Sequence, residues 1–204
     1  QCAEAIAAAA LVDEPVAFFG TPCQIARLDA LLHKQGKRDS ALLIELICHG
    51  VPSALLWDRY LEERIQKDGM APHTLVSFRS KAQGWSSKLM MMMSDCKDYS
   101  ALESKDDFYA FFSRSLCYSK TCYECPYRER SSSDIRIGDY WGPRFKTDQE
   151  GVSMVISVTT RGQAFVDELV AAGGRSKKFE REEYWGCQFP YNQGLPFEWD
   201  EVIS

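Results

Sequence analysis

Apolar residues along the chain follow two rhythms, a helical period of three to four and short strand-like runs, and the two alternate from the start. Residues 3 to 11 read as a helix, and Pro15 opens the apolar run Val16-Ala17-Phe18-Phe19, which ends in the turn Gly20-Thr21-Pro22-Cys23. From Gln24 to about His33 the apolar positions Ile25, Leu28, Leu31 and Leu32 return at helical spacing, and Leu42 to Ile47 reads as a second strand. Strand, helix and strand in this order predict a right-handed parallel crossover, whose loops gather at one edge of the sheet. Cys23 and Cys48 each follow such a strand end.

Ser53 is placed to cap a helix running to about Lys67, with Leu56, Tyr60, Leu61 and Ile65 on one face and Gly69 as its stop. Thr74 to Phe78, Lys88 to Ser94 and Tyr99 to Leu102 read as strands, the last two joined as a hairpin. The run Met90 to Met93 therefore lies on a strand, where alternate side chains face opposite ways and adaptable packing is the expected use, not copper binding. Asp106 to Ser113 reads as a short aromatic helix, and residues 117 to 133 lose periodicity and form a loop holding Cys117, Cys122 and Cys125. Ile135 to Tyr140 and Ser153 to Thr159 resume strand character, Gly162 to Ala172 is helical, and the tail beyond Gly173 shows no clear period. The expected fold is mixed α/β: a central sheet with a parallel strand-helix-strand start, added antiparallel strands and helices on both faces. One catalytic or electron-transfer domain is expected to span residues 1 to 204.

A net charge of -5, spread along the chain, leaves no basic footprint for nucleic acid or an anionic membrane. No run of about 18 apolar residues occurs, and the alanine-rich start lacks the basic head of a signal peptide, so a soluble, cytoplasmic protein is expected. Because the chain opens on Gln1, it reads as a fragment of a longer one. Its eight cysteines are many for an intracellular chain, where clustered thiols bind metal or do redox chemistry more often than they form disulfides.

Cys122-Tyr123-Glu124-Cys125-Pro126 sets two thiols at a spacing that lets one turn chelate a metal centre. A thiol-disulfide exchanger would place such a pair at the start of a helix, and the strand expected at Ile135 leaves little room for one. Cys23 and Cys48 are the best further donors because both lie in turns after apolar strands, although each could equally be a small core residue. Cys117 rivals them, while Cys2, Cys96 and Cys187 have no companion in sequence. Spacing alone does not separate four thiolates on zinc from four on iron-sulfur, so a zinc-stabilised binding module stays open.

Several ordered segments resemble the beta-subunit family of coenzyme F420 hydrogenases and dehydrogenases. They are Gly20-Thr21-Pro22-Cys23-Gln24, Ile47-Cys48-His49-Gly50-Val51-Pro52-Ser53, Phe78-Arg79-Ser80-Lys81 before Gly84-Trp85, Cys122-Tyr123-Glu124-Cys125-Pro126-Tyr127, Asp134 to Gly142, and Gly151-Val152-Ser153. The resemblance covers about residues 16 to 165. It implies an iron-sulfur flavoprotein oxidoreductase, with FAD and one 4Fe-4S cluster passing electrons between a hydride carrier and one-electron partners. The carrier would be an F420-like deazaflavin or a nicotinamide. The implied redox partner is a hydrogenase or dehydrogenase subunit or a ferredoxin-like protein. Carried over residue by residue, Cys23, Cys48, Cys122 and Cys125 are the implied cluster ligands. No ferredoxin-like cysteine series precedes them.

Within the same motifs, Arg79 and Lys81 alternate on one strand face and are candidates to hold a flavin pyrophosphate, with Trp85 lining the ring. Thr21 and Gln24 flank Cys23 where helix amides face an anionic group. Asp139 is placed to orient the flavin or a ribityl hydroxyl, or to cap the next turn, and His49 to donate toward a cluster sulfur.

Overall fold

The computed structural model describes residues 2–72, 75–188 and 195–196. They divide into two compact units: Gln1–His49 with Pro126–Phe145 and Val152–Tyr191, and Gly50–Cys125 with Lys146–Gly151 and Asn192–Ser204.

The first unit carries a four-stranded sheet in the order β1-β2-β6-β7, made of Val16–Gly20, Ala41–Leu46, Ile135–Asp139 and Ser153–Ser157. β1 and β2 are parallel, as are β2 and β6, and β7 closes the sheet antiparallel to β6. Helices α1 (Cys2–Leu11) and α2 (Pro22–Lys34) bury Ile6, Ala10, Ile25, Leu28 and Leu32 against Ala41 and Leu43. Ile135 points to the opposite face, because side chains alternate along a strand. There the backbone of Gly162 in α6 (Thr160–Ala171) lies so close that a Cβ would stand 2.0 Å from the Asp134 carbonyl oxygen. Helices thus lie on both faces, the arrangement a parallel sheet requires. A second helix in the tail, α7 (Arg181–Cys187), falls where the sequence carries no clear period.

The second unit has its own antiparallel sheet, β3-β4-β5, from Leu75–Ser80, Leu89–Met93 and Tyr99–Leu102. Three of the expected antiparallel strands therefore form a separate sheet, and only β7 extends the parallel one. Thr74, the expected first residue of β3, lies outside the described residues. Met90 and Met92 are fully buried beside Tyr60, Phe108 and Tyr109, whereas Met93 is exposed, so the methionine run packs as its alternation predicts. The strand register slips between Ser77 and Ser80, where β3 carries one residue more than β4. Such a bulge re-aims the side chains beside it, here Phe78 and Arg79. Helices α3 (Ala54–Asp68) and α4 (Asp107–Ser113) complete this core, and a short helix α5 (Lys120–Tyr123) interrupts the expected loop. Among the described residues no helix is long and apolar enough to cross a membrane.

Candidate functional site

Gly20 and Glu45 are register partners in the parallel β1–β2 pair. Cys23 and Cys48 each follow by three residues, so two thiols leave neighbouring strands at the carboxyl edge in matched positions. Cys23 is the second residue of α2 and is exposed, with its Sγ 3.3 Å from the Thr21 hydroxyl. Gln24 turns back over Gly20, and its Oε1 accepts the Thr21 amide at 2.9 Å. Both flanking side chains thereby fix the start of α2.

Beneath this edge, Glu45 is fully buried and accepts a hydrogen bond from Arg136 Nε on its register partner in β6. Burial pushes the Glu45 carboxyl up from its ordinary range, against the opposing pull of the Arg136 charge. Desolvation disfavours the carboxylate, and the adjacent cation and hydrogen bonds restore it only in part.

The turn after Cys48 is held from two sides. Arg128 Nη2 donates to the His49 carbonyl at 2.6 Å, and His49 Nε2 lies 2.7 Å from the Gln188 carbonyl. Because a carbonyl only accepts, the ring nitrogen there carries the proton. Gln188 is buried, and its Nε2 donates to the Asp139 carbonyl at 2.7 Å, so the end of α7 ties the end of β6 to His49. Neither Arg128 nor Gln188 stands out in the sequence: one lies in a loop without period and the other in the tail. The Tyr140 hydroxyl is raised by desolvation first and then by the hydrogen bond and charge of Glu183, with a smaller contribution from Cys187.

In the second unit, Val51 to Ser53 runs antiparallel beside Cys117 to Ser119. Ser53 N–H donates to the Cys117 carbonyl and Ser119 N–H to the Val51 carbonyl, both at 2.8 Å, with Pro52 and Tyr118 bridged between them. Gly50 makes this approach possible: its φ is +142°, and a Cβ would stand 2.5 Å from the Tyr118 ring. Cys122 follows in α5, its N–H donating to the Ser119 carbonyl at 2.8 Å. Between the two motif cysteines, Tyr123 is buried. Its hydroxyl donates to the Ser115 carbonyl at 2.7 Å and accepts the Tyr118 amide at 3.1 Å. This anchors the motif while Cys122 and Cys125 stay half-buried. Cys122 is the third residue of a four-residue helix, so the arrangement of a thiol-disulfide exchanger is not formed. Cys117 is completely buried, and desolvation pushes its thiol up to about 11.

Arg79, Lys81 and Trp85 are brought together. Lys81 Nζ stands 3.7 Å from the Trp85 ring centroid and Arg79 Cζ 5.0 Å. Both also donate to the Trp85 carbonyl, at 3.2 and 3.3 Å. Gly151, at φ +85°, packs its backbone on the same indole, where a Cβ would come to 2.1 Å. Two cations thus converge beside one aromatic ring, an arrangement suited to a phosphate or diphosphate.

Cys23 and Cys48 belong to the first unit, Cys122 and Cys125 to the second. Among the described residues, no three His, Cys, Asp or Glu side chains are gathered closely enough to hold one metal ion. Each pair nonetheless suits a thiolate-bound centre in its donor chemistry, since Cys23 is exposed and Cys48, Cys122 and Cys125 are half-buried.

A family model that describes the C-terminal part of the beta subunit of coenzyme F420 hydrogenase/dehydrogenase matches residues 13–179. No curated protein matches the chain.

Proposed function

The chain belongs to the coenzyme F420 hydrogenase/dehydrogenase beta-subunit family, and from that premise we propose that it is an iron-sulfur flavoprotein that converts hydride equivalents into single electrons. The family points to an oxidoreductase subunit with a partner subunit. The finer reading is that Cys23, Cys48, Cys122 and Cys125 hold one 4Fe-4S cluster, that FAD binds through Arg79 and Lys81, and that electrons pass between a hydride-carrying coenzyme and a ferredoxin-like protein or partner subunit. When bound, the flavin supplies the hydride-to-electron conversion and the cluster carries electrons singly.

The observation that carries the reading is the pairing of Val51–Ser53 with Cys117–Ser119. Within the second unit it leads into the anchored Cys122–Cys125 motif, and within the first unit the matched register of β1 and β2 puts Cys23 at the same edge as Cys48. Cys117 is left aside because its side chain is sealed in the core. Arg79 and Lys81 neutralise a flavin diphosphate, with Trp85 and Gly151 fixing the two cations in place. Thr21 and Gln24 order the first turn of α2, whose amides face an anionic group. Asp139, fixed through its carbonyl by Gln188, orients the ribityl chain.

Purification without oxygen, followed by assay of iron, sulfide and flavin on one sample, tests this. The expected result is brown protein carrying both iron-sulfur and FAD. Colourless anaerobic protein with stoichiometric zinc overturns it.

A further inference from the structure

Between α6 and α7 the chain runs exposed without break from residue 167 to 182, and residues 174 to 180 have no regular structure. Gly173 opens this stretch at φ +108°, with nothing within 4 Å of a Cβ, so the backbone is free to swing there. The far end is fastened to the carboxyl edge of the four-stranded sheet. On the outside, Glu183 accepts Arg144 Nε at 2.9 Å and Nη2 at 2.8 Å together with the Tyr140 hydroxyl. The Phe179 ring rests 6.1 Å from that of Phe145 and 6.3 Å from that of Tyr140. The hydrogen bond from Arg144, and then that from Tyr140, hold the Glu183 carboxyl down at about 2, so it is ionised at neutral pH. On the inside, Gln188 is 1% exposed and bonds both the His49 ring, just past β2, and the Asp139 carbonyl at the end of β6. A segment with exposed backbone and an exposed ion pair opens locally more readily than a core, and lids are drawn from such segments.

We propose that residues 174 to 188 are a strap that opens and closes over the crevice between the ends of β2 and β6, with Glu183 as its latch on Arg144 and Tyr140 and Gln188 as its seat. Closed, the strap engages the His49 ring and the Asp139 carbonyl through Gln188. Open, it leaves both groups to a ligand entering at the carboxyl edge, the place where open α/β sheets bind. The latch is a surface ion pair, with the Arg144 side chain 50% exposed, so salt loosens it, whereas the seat is closed to water. All of these residues lie in the first unit, and the strap needs neither the cluster nor the flavin.

The test is chemical labelling of the native full chain, purified without oxygen and read by mass spectrometry, on wild type, Glu183→Gln and Tyr140→Phe. N-ethylmaleimide reports on half-buried Cys187 at the end of the strap, and diethyl pyrocarbonate on His49 beneath it. Exposed Cys96 and His33 mark the unhindered rates, and buried Cys117 marks general unfolding. Glu183→Gln is expected to speed labelling of both Cys187 and His49 about fivefold, with Cys96 and His33 unchanged and Cys117 still protected. Raising sodium chloride to about 1 M should speed both in wild type and neither in Glu183→Gln. Unchanged rates in Glu183→Gln overturn the proposal, as does a rise at Cys187 without one at His49, since the strap would then not cover the edge. A wild-type rate indifferent to salt overturns it too, because the ion pair would not be the latch. If Glu183→Gln also makes Cys117 reactive, Tyr140→Phe decides: a parallel rise at Cys187 and His49 with Cys117 protected supports the strap, and any other result overturns it.

Discussion

Gly20 pairs with Glu45 across the parallel β1–β2 ladder, and this register puts Cys23 and Cys48 at equivalent steps past the sheet edge. In open α/β sheets this carboxyl edge is where ligands bind, because the loops there are free to vary while the strands stay fixed. Strand register is thus the link between the apolar runs of the sequence and the thiol pair.

The Glu45–Arg136 pair beneath that edge is buried on both sides, with Glu45 fully enclosed and Arg136 6% exposed. Removing one partner leaves the other charge desolvated and alone. Glu45→Ala and Arg136→Met are each expected to destabilise the protein by about 3–5 kcal/mol, and the double variant by less than the sum. Urea denaturation measures this; additive losses would show that the two side chains do not act as a pair.

The Cys117 thiol is raised by burial from its ordinary value near 9 to about 11. A folded-state value above the unfolded one favours the protonated thiol, so its stabilising contribution is complete below pH 9. That contribution is lost as pH rises through about 11. At pH 8, iodoacetamide should modify exposed Cys96 in the native protein and leave Cys117 intact, with both modified in urea. Mass spectrometry reads the outcome, and equal native rates would contradict the burial of Cys117.

Arg79→Ala and Lys81→Ala are each expected to weaken FAD binding about tenfold, or roughly 1.4 kcal/mol. Gly151→Ala should do the same indirectly, since a Cβ there meets the Trp85 ring at 2.1 Å. Flavin fluorescence titration measures the affinity, with iron content as the control that should not change. Wild-type affinity in Arg79→Ala and Lys81→Ala would remove the two cations from the flavin site.

Much of the first unit was legible because its strands are short continuous apolar runs, Val16 to Phe19 and Leu42 to Ile47, bounded by turn residues. The motif cysteines Cys23 and Cys48 were legible for the same reason: they stand just outside those runs. The separation of β3, β4 and β5 into their own sheet was not, since strand alternation says which face is buried but not which sheet a strand joins. Arg128 and Gln188 were hidden for another reason. Their importance lies in bonds to His49 across long stretches of chain, and neither residue type signals burial in a loop or tail. Helix α7 was missed because its seven residues hold too few turns to establish a period.

The central claim is that four named cysteines hold one iron-sulfur centre. Iron and acid-labile sulfide per chain, measured in protein purified without oxygen, test it most directly across the series Cys23→Ser, Cys48→Ser, Cys122→Ser, Cys125→Ser and Cys96→Ser. The account predicts about four of each per chain in wild type and in Cys96→Ser, and loss of the centre in the other four. Full iron and sulfide in any of those four, or zinc in place of iron in wild type, would contradict it.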